Sequence, residues 1–342
     1  MAPSSKRCAR CSSSMTANST LDIVAPRRLV IASRGSALAL RQAGIVAELV
    51  RSVAGDIDVE VRTVKTRGDK DRRAFAAIGG KGLFVAEVER EVAEGRADVA
   101  VHSAKDLTAD LGPGCAIICI PARASVHDLV VGGTGESGEE RLGRLPAGAI
   151  VGTSSMRRRA LLSEARPELK AVEFRGNLDT RIRKVDDGEV DVAVLAAAGI
   201  ERLAADVSCA PLDPSWWVPP PGQGALAIEG RSDRGDLIEL FAPLVDPAAA
   251  AEVACERAFS ARLEGGCSIP LGCLARASGP ELVVTGFLGH PEGAESIRDR
   301  ISGGVSEAED LGRELAEAIL AGGGDELLAE VREAGSPDLS PP

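Results

Sequence analysis

The chain of 342 residues contains no tyrosine, and its two Trp and six Phe bring the aromatic share to only 2%. It therefore lacks the stacking side chains on which proteins rely to bind single-stranded nucleic acid. It also has no run approaching the roughly 18 to 20 apolar residues that are needed to cross a bilayer. Together with a formal net charge of −11, these absences argue against nucleic acid and membranes as partners, and they predict a soluble protein.

The cysteines and histidines that are present do not follow a regular spacing. The eight cysteines are irregularly spaced and predict no disulfide framework, so we expect reduced thiols. Cys8 and Cys11 form a lone CxxC, which without a second pair is weak evidence for zinc, and we expect no metal. Cys115 and Cys119 alternate within a short apolar run, which predicts that both pack in the core from one face of a strand.

The apolar residues that are present indicate an α/β fold. The hydrophobic share is 44%, and the length predicts two or three domains. From residue 28 onward, short apolar runs alternate with segments of helical spacing, which predicts a parallel or mixed sheet. The segment DVAV occurs at residues 98–101 and again at 191–194, each time after a helix end and a turn. This repeat predicts two similar α/β domains.

A smaller C-terminal α+β domain follows, because three strand-like runs lie between two helical segments there. Residues 1–28 are expected to be a disordered extension or a short presequence, and residues 334–342 a disordered tail. The predicted domains are 29–121 with 222–240, then 122–221, and finally 246–333.

One thiol has unusual surroundings. Residues 263–272 read LEGGCSIPLG, so that Cys267 follows two glycines between a helical run and a strand-like run. A free cysteine is normally a packing residue, whereas glycines let the backbone bend tightly and bring the sulfur close to a bound group. This setting predicts covalent chemistry at Cys267.

Arginines gather in the loops that follow strands, although the protein is acidic overall. They are Arg34, Arg157, Arg158, Arg159, Arg175, Arg181 and Arg183, with hydroxyl groups nearby at Ser36, Thr153, Ser154 and Ser155. Ligands of open α/β sheets bind at the carboxyl ends of the strands, and guanidinium groups match carboxylates. We therefore predict a polycarboxylate ligand. For Arg159 and Arg183, pairing with surface acids is the favoured interpretation.

One acid follows the first copy of the repeat, in the segment HSAKDL at residues 102–107. Asp106 is expected at the rim of the cleft, where a carboxylate could stabilise a developing cation or transfer protons. The alternative is a structural role, as a helix cap or in an ion pair with Lys105. His102 is interpreted as structural.

Seven short motifs occur in order along the chain. They are IASRGSALA at 31–39, GGKGLF at 79–84, HSAKD at 102–106, GTSSMRR at 152–158, RGN at 175–177, GQGA at 222–225 and LEGGC at 263–267. With these motifs the chain resembles the porphobilinogen deaminase family.

The resemblance implies three domains, of which the first two are similar to type II periplasmic binding proteins. It also implies a dipyrromethane cofactor that is joined to Cys267 by a thioether. On this cofactor four porphobilinogen molecules would be condensed head to tail with loss of ammonia, and hydroxymethylbilane would be released by hydrolysis. We expect a monomer in the cytoplasm, or in a plastid or other organelle if residues 1–28 are a presequence.

The resemblance also assigns roles to individual residues. Asp106 would be the catalytic acid that contacts the pyrrole nitrogens and stabilises the cation formed as ammonia leaves. The residues implied to bind the cofactor are Cys267, Lys81, Lys105, Asp106, Ser155, Arg157 and Arg158. The residues implied to bind the substrate are Arg34, Ser36, Arg175, Arg181 and Arg202.

Two other classes of function share some of these features. A two-domain anion-binding protein would also have arginines at strand ends, but it would need neither Cys267 nor a third domain. A thiol acyl-transfer enzyme would use Cys267 directly and would need a base beside it. None of the three histidines, His102, His127 and His290, is close to Cys267 in the sequence.

Overall fold

The computed structural model describes residues 26–65, 85–108, 110–264, 269–293 and 295–334. Its α-helices, labelled α1 to α10, are Ala37–Ala54, Ala86–Ala93, Gly138–Gly143, Met156–Ala165, Leu178–Asp186, Ala197–Leu203, Gly235–Phe241, Pro247–Arg262, Ala308–Ile319 and Asp325–Ala334. Its strands, β1 to β13, are Arg28–Arg34, Asp58–Val64, Val99–Ser103, Cys115–Cys119, Asp128–Val131, Ile150–Gly152, Lys170–Val172, Val192–Ala196, Cys209–Pro211, Leu226–Arg231, Leu271–Ser278, Glu281–Gly289 and Ser296–Gly304.

Two five-stranded sheets share one design. The first has the strand order β2-β1-β3-β10-β4, and the second has β7-β6-β8-β5-β9. In each sheet three parallel strands are followed by one strand that runs antiparallel to both of its neighbours, β10 in the first and β5 in the second. The expected pair of similar α/β sheets is confirmed. Strand β10 returns to the first sheet from far along the chain.

The repeated DVAV segment has the same structural role in both copies. Asp98 accepts a hydrogen bond from the backbone N–H of Val30 at 2.8 Å, and Asp191 accepts one from that of Ile150 at 2.7 Å. In each case the aspartate ties the start of a central strand to its parallel neighbour.

Helix α1 covers one face of the first sheet. It begins after Ser36, whose side chain accepts a hydrogen bond from the backbone N–H of Ala39 at 3.3 Å. Such a cap satisfies a donor that the first helical turn leaves free. Val46 and Val50 of the helix pack in one core with Leu29 of β1.

The C-terminal part is an antiparallel meander, β11-β12-β13, packed against helices α8 and α9. The two helices pack so closely that a Cβ added at Gly312 would lie only 2.2 Å from the carbonyl oxygen of Cys255. This confirms the expected α+β unit. Helix α10 was not predicted. It follows a turn of π-helix, Leu320–Gly324, and buries Leu327 and Leu328 against the same core.

The prediction that Cys115 and Cys119 share one face of a strand is wrong. The pairing of β4 with β10 shifts between Ile228 and Glu229, and a bulge of this kind turns the residues beyond it to the opposite face. Cys119 therefore packs with Ile228 in one core, while Cys115 packs with Ala100 on the other side of the sheet. Burial raises the pKa of Cys119 to about 12, as expected for a packing thiol.

A buried charge cluster joins the three parts of the molecule. The Arg123 guanidinium donates to Glu252 at 2.9 Å and to Glu256 at 2.8 Å. Glu256 also accepts hydrogen bonds from the backbone N–H groups of Gly222 at 2.7 Å and Ala275 at 2.9 Å. Two segments cross between the sheets, residues 120–127 and residues 212–225, and we call them the crossing segments. Through Arg123 and Gly222, both crossing segments meet helix α8 and strand β11 at one point.

Several predictions concern residues outside the described ranges. They include the CxxC of Cys8 and Cys11, nearly all of the two predicted disordered ends, Lys81 and Cys267. The cysteines in the described ranges are free thiols: Cys115, Cys119, Cys209, Cys255 and Cys273. In the same part of the chain, no helix combines the length and apolar character required to cross a membrane.

Candidate functional site

Loops at the carboxyl ends of the strands of the first sheet carry three predicted site residues. Strand β3 runs directly into a single turn of 3₁₀ helix, Ala104–Asp106, in which Lys105 is half-buried and Asp106 is exposed. The parallel neighbour β1 leads into Ser36 at the start of α1. The order of the strands thus puts Ser36, Lys105 and Asp106 at the same edge of the sheet.

The corresponding loop of the second sheet is held by its own hydroxyl groups. Ser154 accepts a hydrogen bond from the backbone N–H of Phe174 at 2.9 Å. Ser155 caps helix α4, because its hydroxyl oxygen accepts the backbone N–H of Arg158 at 3.4 Å. These bonds fix the first turn of α4, and that turn carries Arg157 and Arg158.

Both arginines are buried, and both pair with the carboxylate of Asp128. Arg158 binds the two oxygens of Asp128, with Nε at 3.1 Å and Nη2 at 2.6 Å. Arg157 reaches Asp128 with Nη2 at 2.6 Å. The remaining terminal nitrogens donate to the backbone oxygens of Val218 and Val194, each at 2.8 Å. The two positive charges therefore share one fixed counterion.

Asp128 is completely enclosed by donors. Besides the two arginines, it accepts hydrogen bonds from the Trp217 indole at 2.9 Å and the Gln223 amide at 3.0 Å. Burial by itself would raise the pKa of Asp128, but the adjoining Arg158 and Arg157 guanidinium groups lower it far below its usual range. The carboxylate stays ionised in the folded protein.

Gln223 connects this cluster to the first sheet. Its amide oxygen lies 3.3 Å from Nζ of Lys105 and accepts a hydrogen bond from it. Burial lowers the pKa of Lys105 to about 8; the neighbouring Asp106 opposes this shift, and Arg158 adds to it. The ammonium group is therefore close to Arg158 of the second sheet, and the carboxyl ends of the two sheets face each other.

Arg181 completes the group. Burial and, to a smaller extent, the charge of Arg158 lower the pKa of Arg181 to about 10, while Asp106 opposes this shift. Its Nε is buried and has no hydrogen-bond partner among the described residues. Among the residues that the structure describes, the acids that act on Lys105, Arg157, Arg158 and Arg181 are Asp106 and Asp128. The cleft therefore has the excess positive charge that an anionic ligand requires.

Other predicted residues lie at the edges of this cluster or apart from it. Arg34 is half-buried at the end of β1, and Arg175 is exposed and pairs with Glu173. Arg202 donates to the carbonyl oxygen of Gly224 at 2.7 Å and lines a separate pocket with residues such as Leu226. The structure does not bring Arg202 into the cluster of Lys105 and Arg158.

The two arginines that were assigned to surface pairing differ from each other. Arg159 is largely buried, and its closest acid is Glu292, at 3.7 Å. Arg183 is exposed and forms no ion pair with any residue in the described ranges. His102 is buried, and its Nε2 lies 3.0 Å from Glu229, which agrees with a structural role.

Sequence reasoning did not identify Asp128, Trp217 or Gln223 as members of the site. The one available signal was Asp128 itself, an acid directly before the apolar run LVV of a buried strand. A charged residue in such a position is rarely buried without a partner. Gln223 was noticed only as part of the GQGA motif.

Comparisons with known proteins agree with the geometry. Residues 29–239 match the family model described as "Porphobilinogen deaminase, dipyromethane cofactor binding domain", and residues 250–321 match "Porphobilinogen deaminase, C-terminal domain". The chain is also similar in structure to an arginine-specific periplasmic binding protein of Salmonella typhimurium. That similarity has a TM-score of 0.38 and 12% identity, and it covers 66% of this chain and 94% of the other.

Curated relatives match along almost their whole length. A porphobilinogen deaminase of Methylobacillus flagellatus is 43% identical over 307 residues, which are 89% of this chain and 98% of the relative. One of Roseiflexus castenholzii is 43% identical over 303 residues, which are 88% of this chain and 98% of the relative. The matched residues include both sheets and the loops that carry the cationic cluster. The chain therefore belongs to the porphobilinogen deaminase family.

Proposed function

We propose that this protein condenses four porphobilinogen molecules head to tail on a covalently bound dipyrromethane, with loss of ammonia, and releases hydroxymethylbilane by hydrolysis. One observation carries the proposal. Cationic side chains from two facing sheets converge on a cleft whose one exposed acid among the clustered groups is Asp106. The substrate and the growing chain carry carboxylates on every ring, whereas the reaction develops positive charge on a pyrrole.

The residues of the cleft fit a dipyrromethane. Such a group carries four carboxylates, and the buried Nε atoms of Arg157 and Arg181 have no hydrogen-bond partner among the described residues. Lys105, Arg157, Arg158 and Ser155 would hold it, with Lys81 as a further cation. When bound through a thioether to Cys267, this group supplies the pyrrole carbon to which the first substrate is joined.

Asp106 is the residue to which we assign the chemistry. Its carboxylate is exposed to the cleft, and its field reaches both Lys105 and Arg181. There it stabilises the positive charge that develops on the substrate ring as ammonia leaves, and it accepts hydrogen bonds from pyrrole N–H groups.

Binding of successive substrates is assigned to residues around this centre: Arg34, Ser36, Arg175, Arg181 and Arg202. Arg34 ends β1 and Ser36 follows it, at the edge of the sheet that also carries Asp106, and Arg181 is part of the charged cluster itself. Arg202 lines a different pocket, so it would contact a pyrrole of the growing product that lies away from Asp106.

The proposal extends to organisation and location. The two sheets support a division into domains 29–121 with 222–240, 122–221 and 246–333. We also propose that the protein acts as a monomer. We assign the protein to the cytoplasm, with a plastid or another organelle as the alternative if residues 1–28 are a presequence.

Intact mass measurement of the denatured protein tests the proposal. We expect an excess mass equal to two linked pyrrole units, and we expect Cys267→Ala to lack it. Cys119→Ala is the matched control, because this thiol is buried in the core and should leave the excess mass unchanged. A protein that carries no adduct, gains none when porphobilinogen is added and consumes no substrate would refute the proposal.

A further inference from the structure

Asp128 cannot itself bind a ligand, because its two oxygens are already used. They accept five hydrogen bonds, three from Arg157 and Arg158 and one each from Trp217 and Gln223. Only 2% of the residue is exposed. A carboxylate offers about four acceptor positions. Asp128 is therefore saturated from inside the protein, and any effect it has on ligand binding must act through its partners.

Its first effect is on the two arginines. A free arginine side chain populates many rotamers, and holding it in one costs conformational entropy on binding. Asp128 holds Arg158 by both oxygens and Arg157 by one, while the backbone oxygens of Val218 and Val194 fix the other ends. Because one negative charge faces two positive charges, this arrangement still leaves a net positive charge toward the cleft.

Its second effect passes through Gln223. The Gln223 amide nitrogen donates both to Asp128, at 3.0 Å, and to the backbone oxygen of Val126, at 2.8 Å. With its N–H groups committed to these acceptors, the amide oxygen must point toward Nζ of Lys105. Lys105 follows β3 of the first sheet, and Asp128 begins β5 of the second. One continuous chain of hydrogen bonds thus links the cationic groups of both sheets.

We propose that Asp128 and Gln223 are positioning residues for the reaction. Asp128 sets the positions of Arg157 and Arg158 directly, and the Gln223 amide extends the same control to Lys105. This inference rests on the proposed function, because it concerns the groups that receive the carboxylates of the cofactor and substrate.

Two variants test the proposal. Asp128→Asn keeps the shape of the side chain but turns amide hydrogens toward guanidinium groups. We expect a smaller fraction of the protein to retain the pyrrole mass and KM for porphobilinogen to rise about tenfold, since a hydrogen bond to a charged group is lost. Gln223→Met keeps a side chain of similar length but removes the hydrogen bonds to Asp128 and Lys105. It should raise KM less, by about threefold, and should change the rate at which acetic anhydride acetylates Lys105.

Val130→Ala is the control for a loss of stability alone. Val130 is fully buried two residues farther along β5, and its truncation opens a cavity without removing any side chain that forms a hydrogen bond in the network. We expect it to lower the unfolding temperature while leaving KM, the retained mass and Lys105 acetylation unchanged. If Asp128→Asn does not fold, Gln223→Met carries the test, because it leaves both ion pairs in place.

The positioning role is refuted if Asp128→Asn and Gln223→Met match Val130→Ala in KM, retained mass and Lys105 acetylation. Failure of the proposed function has a different signature, in which the wild-type protein has no pyrrole mass and consumes no porphobilinogen. Acetylation of Lys105 needs no substrate. A change in its rate in Gln223→Met would therefore still support the link between Gln223 and Lys105.

Discussion

At the scale of single residues, Asp106 has the most specific expected effect. It is the exposed acid that follows β3, within reach of the charges of Lys105 and Arg181. Asp106→Asn removes the negative charge and keeps the shape. We expect the cofactor mass to be retained and kcat to fall by about 10²–10³, because a preorganised group that faces developing charge contributes about that much.

The matched control for this variant is Asp110→Asn. Asp110 is also an exposed acid and lies four residues away, but its charge acts on Arg257. We expect its kcat to equal that of the wild type. Turnover in Asp106→Asn at the same rate as in Asp110→Asn, with the cofactor mass present in both, would remove Asp106 from the mechanism.

The proposed role of Lys105 predicts that substrate binding depends on pH. Its pKa is lowered to about 8, so the folded protein loses the ammonium charge as the pH rises through that value. Ligand carboxylates bind the charged form, and KM for porphobilinogen should therefore rise between pH about 7 and about 9. In Lys105→Arg the charge persists, and we expect a flat profile of KM in this range. A wild-type KM that does not change would contradict this role.

The same shift has a defined sign for stability. Because the usual pKa of lysine is 10.5, the unfolded chain binds more protons than the folded protein between pH about 8 and about 10.5. The contribution of Lys105 to the free energy of unfolding therefore increases as the pH rises across this window. Lys105→Arg should remove that contribution, and urea unfolding at several pH values measures the difference.

At the scale of elements, periodicity predicted most strands and helices but not their partners. In the C-terminal part, three strands between two helical segments were expected, and β11–β13 lie between α8 and α9. Helix α10 was not predicted, because the glycines at 322–324 indicate the end of a helix. A further helix forms beyond them, and its Leu327 and Leu328 are buried in the core. Likewise, alternation cannot reveal the bulge in the pairing of β4 with β10, which turned Cys115 and Cys119 to opposite faces.

The candidate site was predicted unevenly for the same reason. Motifs identified Lys105, Arg157 and Arg158, because loop arginines in an acidic chain are a visible local signal. They did not predict that Asp128 pairs with Gln223, 95 residues away in the sequence. Such a contact arises only when both crossing segments are in position between the two sheets. The sequence indicated the cations of the site but not the groups that hold them.

The crossing segments themselves depend on Gly224. Its φ of +86° is unfavourable for other residues, and an added Cβ would lie 2.4 Å from the carbonyl oxygen of Ala124 and 2.7 Å from that of Ser125. We expect Gly224→Ala to reduce the free energy of unfolding by about 2–4 kcal/mol, through strain and clash with backbone. Urea denaturation monitored by tryptophan fluorescence measures the change.

Gly235→Ala is the control for this substitution. Gly235 begins helix α7 and its φ is ordinary. Apart from its chain neighbours and the backbone of its own helix, no described residue has an atom within 4 Å of an added Cβ. We expect equal or slightly higher stability, because alanine favours the helix and restricts the unfolded chain. Equal stability of Gly224→Ala and Gly235→Ala would contradict the strained turn at Gly224.

At the scale of the whole molecule, the Arg123 cluster connects the C-terminal part to the cleft. Glu256 lies on α8 and accepts a hydrogen bond from Ala275 of β11, and Cys267 lies in the sequence between these two elements. Glu256 also accepts from Gly222, next to Gln223. The segment that contains Cys267 is therefore flanked by elements that are fixed against the crossing segments, as an anchor for a bound cofactor requires.

Removal of Arg123 tests how strongly this joint holds the molecule together. Arg123→Leu would leave Glu252 and Glu256 buried at 7% and 0% exposure without their counterion. We expect a loss of about 3–5 kcal/mol in the free energy of unfolding, because an unpaired buried charge is costly. Glu256→Gln should also destabilise, and the double variant should lose less than the sum of the two. Urea unfolding of all four proteins gives the coupling energy, and strictly additive losses would mean that the ion pair does not join the parts.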